Sequence, residues 1–230
     1  MSDTTDDFQL LERWRDHDDK DALNTLVERH FRTLQRFFVN KVSEADLPDL
    51  VQKTMLQCLE SLEKFRHDAT FRTFLLGIAH NVLLHKYRRH RRKEGKLDPL
   101  TGPTDQFIDA SGISSVLARR REQELILAAL RAIAINHQVV LELHFWEGLT
   151  AKECAHVLDV EVSTIKGRLH RAKITFKAAL EAGPGTPSEK RSITSAMASW
   201  ILGIQNHIRQ GSPEEARILA DWTAADPKPT

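Results

Sequence analysis

Cysteine, tyrosine and glycine are all scarce in these 230 residues: two cysteines, one tyrosine and ten glycines. Cys58 and Cys154 each fall inside an apolar helical pattern, so a disulfide framework is excluded and a reducing cytoplasm is the expected compartment. Cys154 and His156 stand two apart, and His80, His85 and His90 step by five. Both spacings scatter ligands around a helix, so no metal site is expected. A glycine-rich phosphate loop with its lysine is also missing, which argues against nucleotide hydrolysis; neither enzyme chemistry nor a cofactor is expected. No stretch approaches the roughly 20 apolar residues of a membrane span. Residues 1–21 carry eight acids against three bases, the reverse of a secretory leader.

What is present is charge, at 28% of residues with a net of only +1, and it is segregated. Acid collects at the N-terminus, and base collects in two blocks, His85–Lys96 and Lys166–Lys177. Apolar residues recur with the helical period throughout, and no stretch alternates as a strand does, so an all-α chain is expected. One helical domain is read over 8–93, with apolar stripes through Leu26, Leu34 and Phe38, through Val51, Met55 and Cys58, and through Leu75, Ile78 and Val82. Pro48 is tolerated in a first turn there. Gly95, Pro99, Gly102, Pro103 and Gly112 punctuate a flexible linker, 94–115. A second helical domain spans 116–182, with a middle helix over Val139–Trp146, and a C-terminal helical hairpin is expected over 190–226.

The most specific pattern lies in Leu149–Lys177. A short helix, a turn at Asp159 and a basic helix from Ser163 form a helix-turn-helix, with Val157, Leu158, Val160, Ile165 and Leu169 sealing the angle between the helices. Ser163 and Thr164 stand at the start of the second helix, where base edges are reached; Lys166, Arg168, Arg171 and Lys173 can reach bases or phosphates. From Ser163 to Lys177 there are five basic residues and no acid, which favours DNA over an ordinary helical hairpin with a solvated face.

Three features of the first domain point the same way. The helix from Leu47 to Phe65 sets a polar face, with Asp49, Gln52, Lys53, Gln57 and Glu60, opposite its apolar stripe. The loop Arg66-His67-Asp68-Ala69-Thr70 leads into Phe71 and Phe74, aromatics suited either to stacking an unpaired base or to the core. Six cations in the eight positions 86–93, including Lys86, Arg88 and Arg89, repel one another along a helix and call for an anionic partner such as phosphate.

Asp49-Leu50-Val51-Gln52, Phe65-Arg66, Phe71-Arg72-Thr73-Phe74-Leu75 and Ile78-Ala79-His80-Asn81 resemble domain 2 of bacterial sigma factors. Glu147-Gly148-Leu149-Thr150 and Val162–Ala172 resemble their domain 4. Two such domains with only a linker between them resemble the small extracytoplasmic-function (ECF) class. The resemblance implies a promoter-specificity subunit of RNA polymerase, with core enzyme and promoter DNA as partners. Asp49, Gln52 and Lys53 would then dock on polymerase. Arg66, His67, Asp68, Ala69, Thr70, Phe71 and Phe74 would capture a minus-ten base, and His80, Asn81, Lys86, Arg88 and Arg89 would hold adjacent DNA. The helix carrying Ser163, Thr164, Lys166, Arg168, His170, Arg171 and Lys173 would read the minus-35 element. The chain departs from the pattern at Lys53, where an acid is usual, at His67 and Asp159, where glycine is, and at Asn136-His137, where a proline is common. Asp159 tolerates the left-handed turn better than most residues. The alternative is a stand-alone helix-turn-helix regulator that never joins polymerase.

In the tail, Ile193, Met197, Trp200, Ile201, Ile204 and Ile208 form an apolar stripe, and Ser212-Pro213-Glu214-Glu215 a helix start. Ala198–Trp200 through Ala220–Pro227 is similar to the start of FecR-type anti-sigma regulators. The tail either caps the protein's own core or docks on the two domains as a restraint; a separate anti-sigma factor is the other expected regulator.

Overall fold

The structure is a computed structural model that describes residues 6–62, 65, 69–94, 121–191, 193 and 194, with side chains described for 6–62, 65, 69–90, 124–191, 193 and 194. These residues form α-helices α1 to α8, with further helical residues at 187–191 and 193–194, and no strand among them. Helix α1 (Asp7–His17) opens on a capping box between Asp6 and Gln9. It ends where Asp18 turns left-handed at φ 49°. Asp19 then caps α2 (Lys20–Val39), accepting hydrogen bonds from the Asp21 and Ala22 amides at 3.1 and 3.0 Å. Burial along α2 falls on Leu26, His30, Thr33, Leu34, Phe37 and Phe38, one face of a helix. His30 is buried, and its Nε2 meets Asp7 at 2.8 Å. Burial disfavours the Asp7 carboxylate, but His30 and Arg29 outweigh that and hold its pKa below the ordinary range.

Helix α3 (Leu47–Ser61) carries Pro48 in its first turn, where a missing amide costs nothing. Helix α4 (Phe71–Glu94) starts at Thr70, whose hydroxyl accepts from the Thr73 amide at 3.1 Å. Helices α1 to α4 pack on one another as the first helical block. The second block comprises α5 (Arg121–Ala132), α6 (Ile135–Leu141), α7 (Ala151–Leu158) and α8 (Val162–Ala182), with α8 packed on the other three. The middle helix expected over Val139–Trp146 instead begins at Ile135 and changes pitch, so that Glu142–Trp146 is a π-helical turn. Thr150 and Glu153 form a capping box at the start of α7.

Packing between the blocks is closer than a flexible tether suggests. Helix α4 lies along α7, and a Cβ added at Gly77 would stand only 3.8 Å from the Val157 carbonyl oxygen. Buried side chains from Leu10 to Ile193 form one continuous core. Of the tail, only its first residues are described: Ile193 is buried, and Lys190 Nζ donates to the Glu181 and Gly183 carbonyls at 2.6 and 2.8 Å. Of the hairpin expected over 190–226, residues 190, 191, 193 and 194 are described and are helical; the rest of it, and the linker beyond Glu94, lie outside the described residues.

The α7–α8 turn is built as its sequence demands. Asp159 takes φ 50° and ψ 54° with Val160 N–H returning to the Ala155 carbonyl at 3.1 Å. A β-branched residue at this backbone conformation is strained by roughly 1–2 kcal/mol. Asp159→Val therefore lowers unfolding free energy by about that amount in urea titration, while Asp159→Gly leaves it unchanged or higher.

Candidate nucleic-acid and polymerase interfaces

The helix-turn-helix forms as its residues require. Leu158, Ile165, Leu169 and Ala172 are buried between α7 and α8, while Ser163, Lys166, Gly167, His170 and Arg171 are exposed along α8. Thr164 and Arg168 are half-buried. Lys173 corrects the expectation of a DNA-facing cation. It is buried, with Nζ 5.5 Å from the centre of the Phe145 ring, because it stands four residues from buried Leu169 on the inward side.

On α3, Asp49, Gln52, Lys53, Leu56 and Glu60 are exposed, spaced as one continuous helix face. Leu56 is 54% exposed in the middle of that polar stripe, an apolar side chain that no neighbour in the fold covers. The three residues expected to dock share this face.

The aromatics after the loop are packed inward. Phe71 is 4% exposed, edge-on to His30 and Phe65, and Phe74 lies 4.6 Å from Phe65 between ring centres. As described, Phe71 is a core residue with no face open to a base, and Phe74 is partly covered. Arg66, His67 and Asp68 lie outside the described residues; Ala69 and Thr70 are described, with Thr70 serving to cap α4. Further along α4, Asn81, Arg88 and Arg89 are exposed, whereas Lys86 is drawn to Asp46.

His80 faces the second block. Its pKa is pushed down to about 4, first by burial and then by the positive charges of Arg168, Arg88 and Lys41. Burial, then the charge of Arg171, also lowers the pKa of Arg168. Helices α8 and α4 thus bring Arg168 and Arg88 close to the His80 imidazole at the interface.

Acidic side chains of the second block answer them. Lys41, fully buried, donates to the Glu142 carboxylate and the Phe37 carbonyl, and the Tyr87 hydroxyl donates to the Lys41 carbonyl at 2.8 Å. Gln138 Nε2 donates to Glu142 Oε1 at 2.8 Å and to the Asn40 carbonyl at 3.1 Å. Five residues on, Glu147 accepts from Arg36 Nε at 3.3 Å and from Arg72, which also reaches the Glu147 carbonyl oxygen at 2.8 Å. Positions five apart diverge by about 140° on an α-helix. The π-helical turn, closed by the Glu147 amide on the Glu142 carbonyl at 2.9 Å, aims both acids at the first block. Sequence reasoning did not find this set. Its only trace was two acids, Glu142 and Glu147, inside an otherwise apolar stretch.

A helix-turn-helix with an exposed basic second helix, joined to a helical block with its own cationic helix, defines a two-module DNA-binding protein. The model of sigma-70 region 2 matches residues 26–93 and that of sigma-70 region 4 residues 123–175, just over half of the chain between them. The chain belongs to the sigma-70 family of RNA polymerase sigma factors, with the two-region organisation of its ECF members. It is 25% identical over 179 residues to the ECF RNA polymerase sigma-E factor of Haemophilus influenzae, covering 75% of this chain and 94% of that one. With the sigma-E factor of Escherichia coli K12 the identity is 24% over 179 residues, covering 75% and 93%. Two solved structures share the fold. CnrH in complex with the cytosolic domain of CnrY aligns at TM-score 0.58 and 23% identity, over 78% of this chain and 99% of that one. The sigma factor RpoE in complex with the anti-sigma factor NepR from Bartonella quintana aligns at 0.53 and 16%, over 70% and 98%. No described helix is long and apolar enough to cross a membrane.

The depressed His80 pKa has a thermodynamic consequence. The unfolded chain binds a proton at this site near pH 6.5 and the folded one near 4, so stability is full above 6.5 and falls as pH drops through that window. Urea titrations from pH 7 to 4.5 are expected to show this loss. His80→Gln reduces it, leaving the contribution of His137, whose pKa is lowered by burial and then by Arg171 and Arg168; an unchanged slope in the variant would place the titrating group elsewhere.

Proposed function

We propose that this sigma factor binds core RNA polymerase through the exposed face of α3, reads the minus-35 element with α8, and grips and opens the minus-ten element with the first block. No reaction is catalysed, and no cofactor or metal takes part. In this reading the first module spans 8–93, the linker 94–115, the second module 116–182 and a regulatory extension 190–226. The observation that carries it is the pairing of an outward α8 surface, with Ser163, Lys166, His170 and Arg171 exposed, with a second cationic surface on α4 at Asn81, Arg88 and Arg89. One module supplies duplex readout and the other strand contact, a division suited to opening DNA at a fixed distance from a recognised site. Asp49, Gln52 and Lys53 surround exposed Leu56, which gives α3 an apolar centre with a polar rim, the composition of a protein-docking surface. Phe71 and Phe74 become available to a base only if their ring contacts with His30 and Phe65 open. One of the two solved structures is held by an anti-sigma factor and the other by the cytosolic domain of CnrY; an anti-sigma partner, or the extension itself, is the proposed restraint on this chain.

The test is co-purification with core polymerase followed by transcription from a promoter library. Stable association and promoter-dependent transcripts are expected. Arg171→Ala weakens binding of the selected duplex by roughly 1–3 kcal/mol if it contacts a base, and it lowers the slope against log salt by about 1 if it contacts a phosphate. A chain that never associates with polymerase contradicts the proposal.

A further inference from the structure

We propose that Arg36 and Arg72 form a phosphodiester-binding site for a promoter strand, and that Glu147 occupies it as an internal substitute for phosphate. The inference rests on the reading of the first block as a strand-binding module. Its starting point is a charge imbalance. Among the described residues, Arg36, Lys41 and Arg72 converge from α2, the segment after α2 and α4 on two carboxylates, Glu142 and Glu147. Arg88 and Arg168 add further positive charge around His80 at the same interface.

The two carboxylates are not equivalent. Glu142 meets a fully buried lysine inside a hydrogen-bonded network and holds the blocks in register. Glu147, itself buried, meets two arginines that reach the surface: the Arg36 side chain is 50% exposed and that of Arg72 is 21% exposed. Two guanidinium groups on one pair of oxygens is the arrangement that recognises a phosphate, and the guanidinium fork favours it over a lysine. Arg72 lies between Phe71 and Thr73 at the start of α4, beside the loop expected to take a base. A phosphate held there would lead its strand along α4 toward Asn81, Arg88 and Arg89. While Glu147 stays in place, that path is closed, and α7 remains against α4.

Competition follows directly. A strand that displaces Glu147 replaces one carboxylate with a phosphate and frees the second block; a second block that swings away exposes the site. DNA binding and opening are then one equilibrium, biased by each other.

The probe is a fluorescein-labelled 12-nucleotide single strand of mixed sequence, titrated with the full-length chain at several salt concentrations. Glu147→Gln removes the competing charge. Gly77→Leu opens the interface by bulk alone, since any side chain there grows toward the backbone at Val157. Each is expected to tighten binding fivefold or more, and to steepen the slope of log K against log salt by about 0.7, the value for one newly engaged phosphate on a single strand. Adding Arg72→Ala to Glu147→Gln is expected to remove the gain. Unchanged affinity in both single variants, or a gain that survives loss of Arg72, overturns the proposal. Polymerase association of the same variants is read in parallel. Binding to polymerase without any gain on the strand rejects the anion site alone, whereas failure to bind polymerase rejects the reading beneath it.

Discussion

Lys41 has no exposed surface, and an ammonium group cannot remain there without a counter-charge and hydrogen bonds. Glu142 supplies the charge, the Phe37 carbonyl accepts a hydrogen bond, and the Phe37 ring lies 4.6 Å from the ammonium. The partner is in the other helical block, so the closed arrangement is a condition for satisfying this one lysine. A buried pair of this kind adds little net stability, because removing both ions from water offsets much of their attraction. It does impose register. Separating the blocks releases the ions to water instead of stranding them, so the same interaction that specifies the closed form leaves a route to opening.

That route is needed for the proposed activity. Elements 25 base pairs apart lie roughly 85 Å apart along duplex DNA at 3.4 Å per pair, while a compact chain of this length has a radius of gyration of about 17 Å. The closed chain cannot engage both. In the closed chain Arg168 of α8 and Arg88 of α4 instead stand on either side of His80, close enough to depress its pKa. Like charges at close quarters are held by Glu142 and Glu147, both aimed by a single π-helical turn. The resting geometry is thus a compromise between hydrophobic continuity across α4 and α7 and electrostatic repulsion along it.

Much of this was legible in the residues. Helical periodicity, Pro48 in a first turn, Asp159 in the left-handed turn and the outward set on α8 follow from local chemistry that sequence carries directly. The inward turn of Lys173 was not legible, because a long side chain between two helix faces can lie on either, and the Phe145 ring decided it. Phe71 was open to both readings, and its contacts with His30 and Phe65 place it in the core. The clasp was the largest gap. It depends on a change of helix pitch at Glu142 and on pairs separated by 75 to 111 positions, neither of which has a signature in spacing.

The central claim is that the free chain is closed by its own carboxylates and opens on polymerase. It is tested most directly by measuring the distance between spin labels at exposed positions 28 on α2 and 177 on α8, in the free chain and bound to core enzyme. The account predicts one narrow distribution in the free chain that moves to a clearly longer distance on binding. The same distribution in both states, or a free chain already broad and extended, would contradict it.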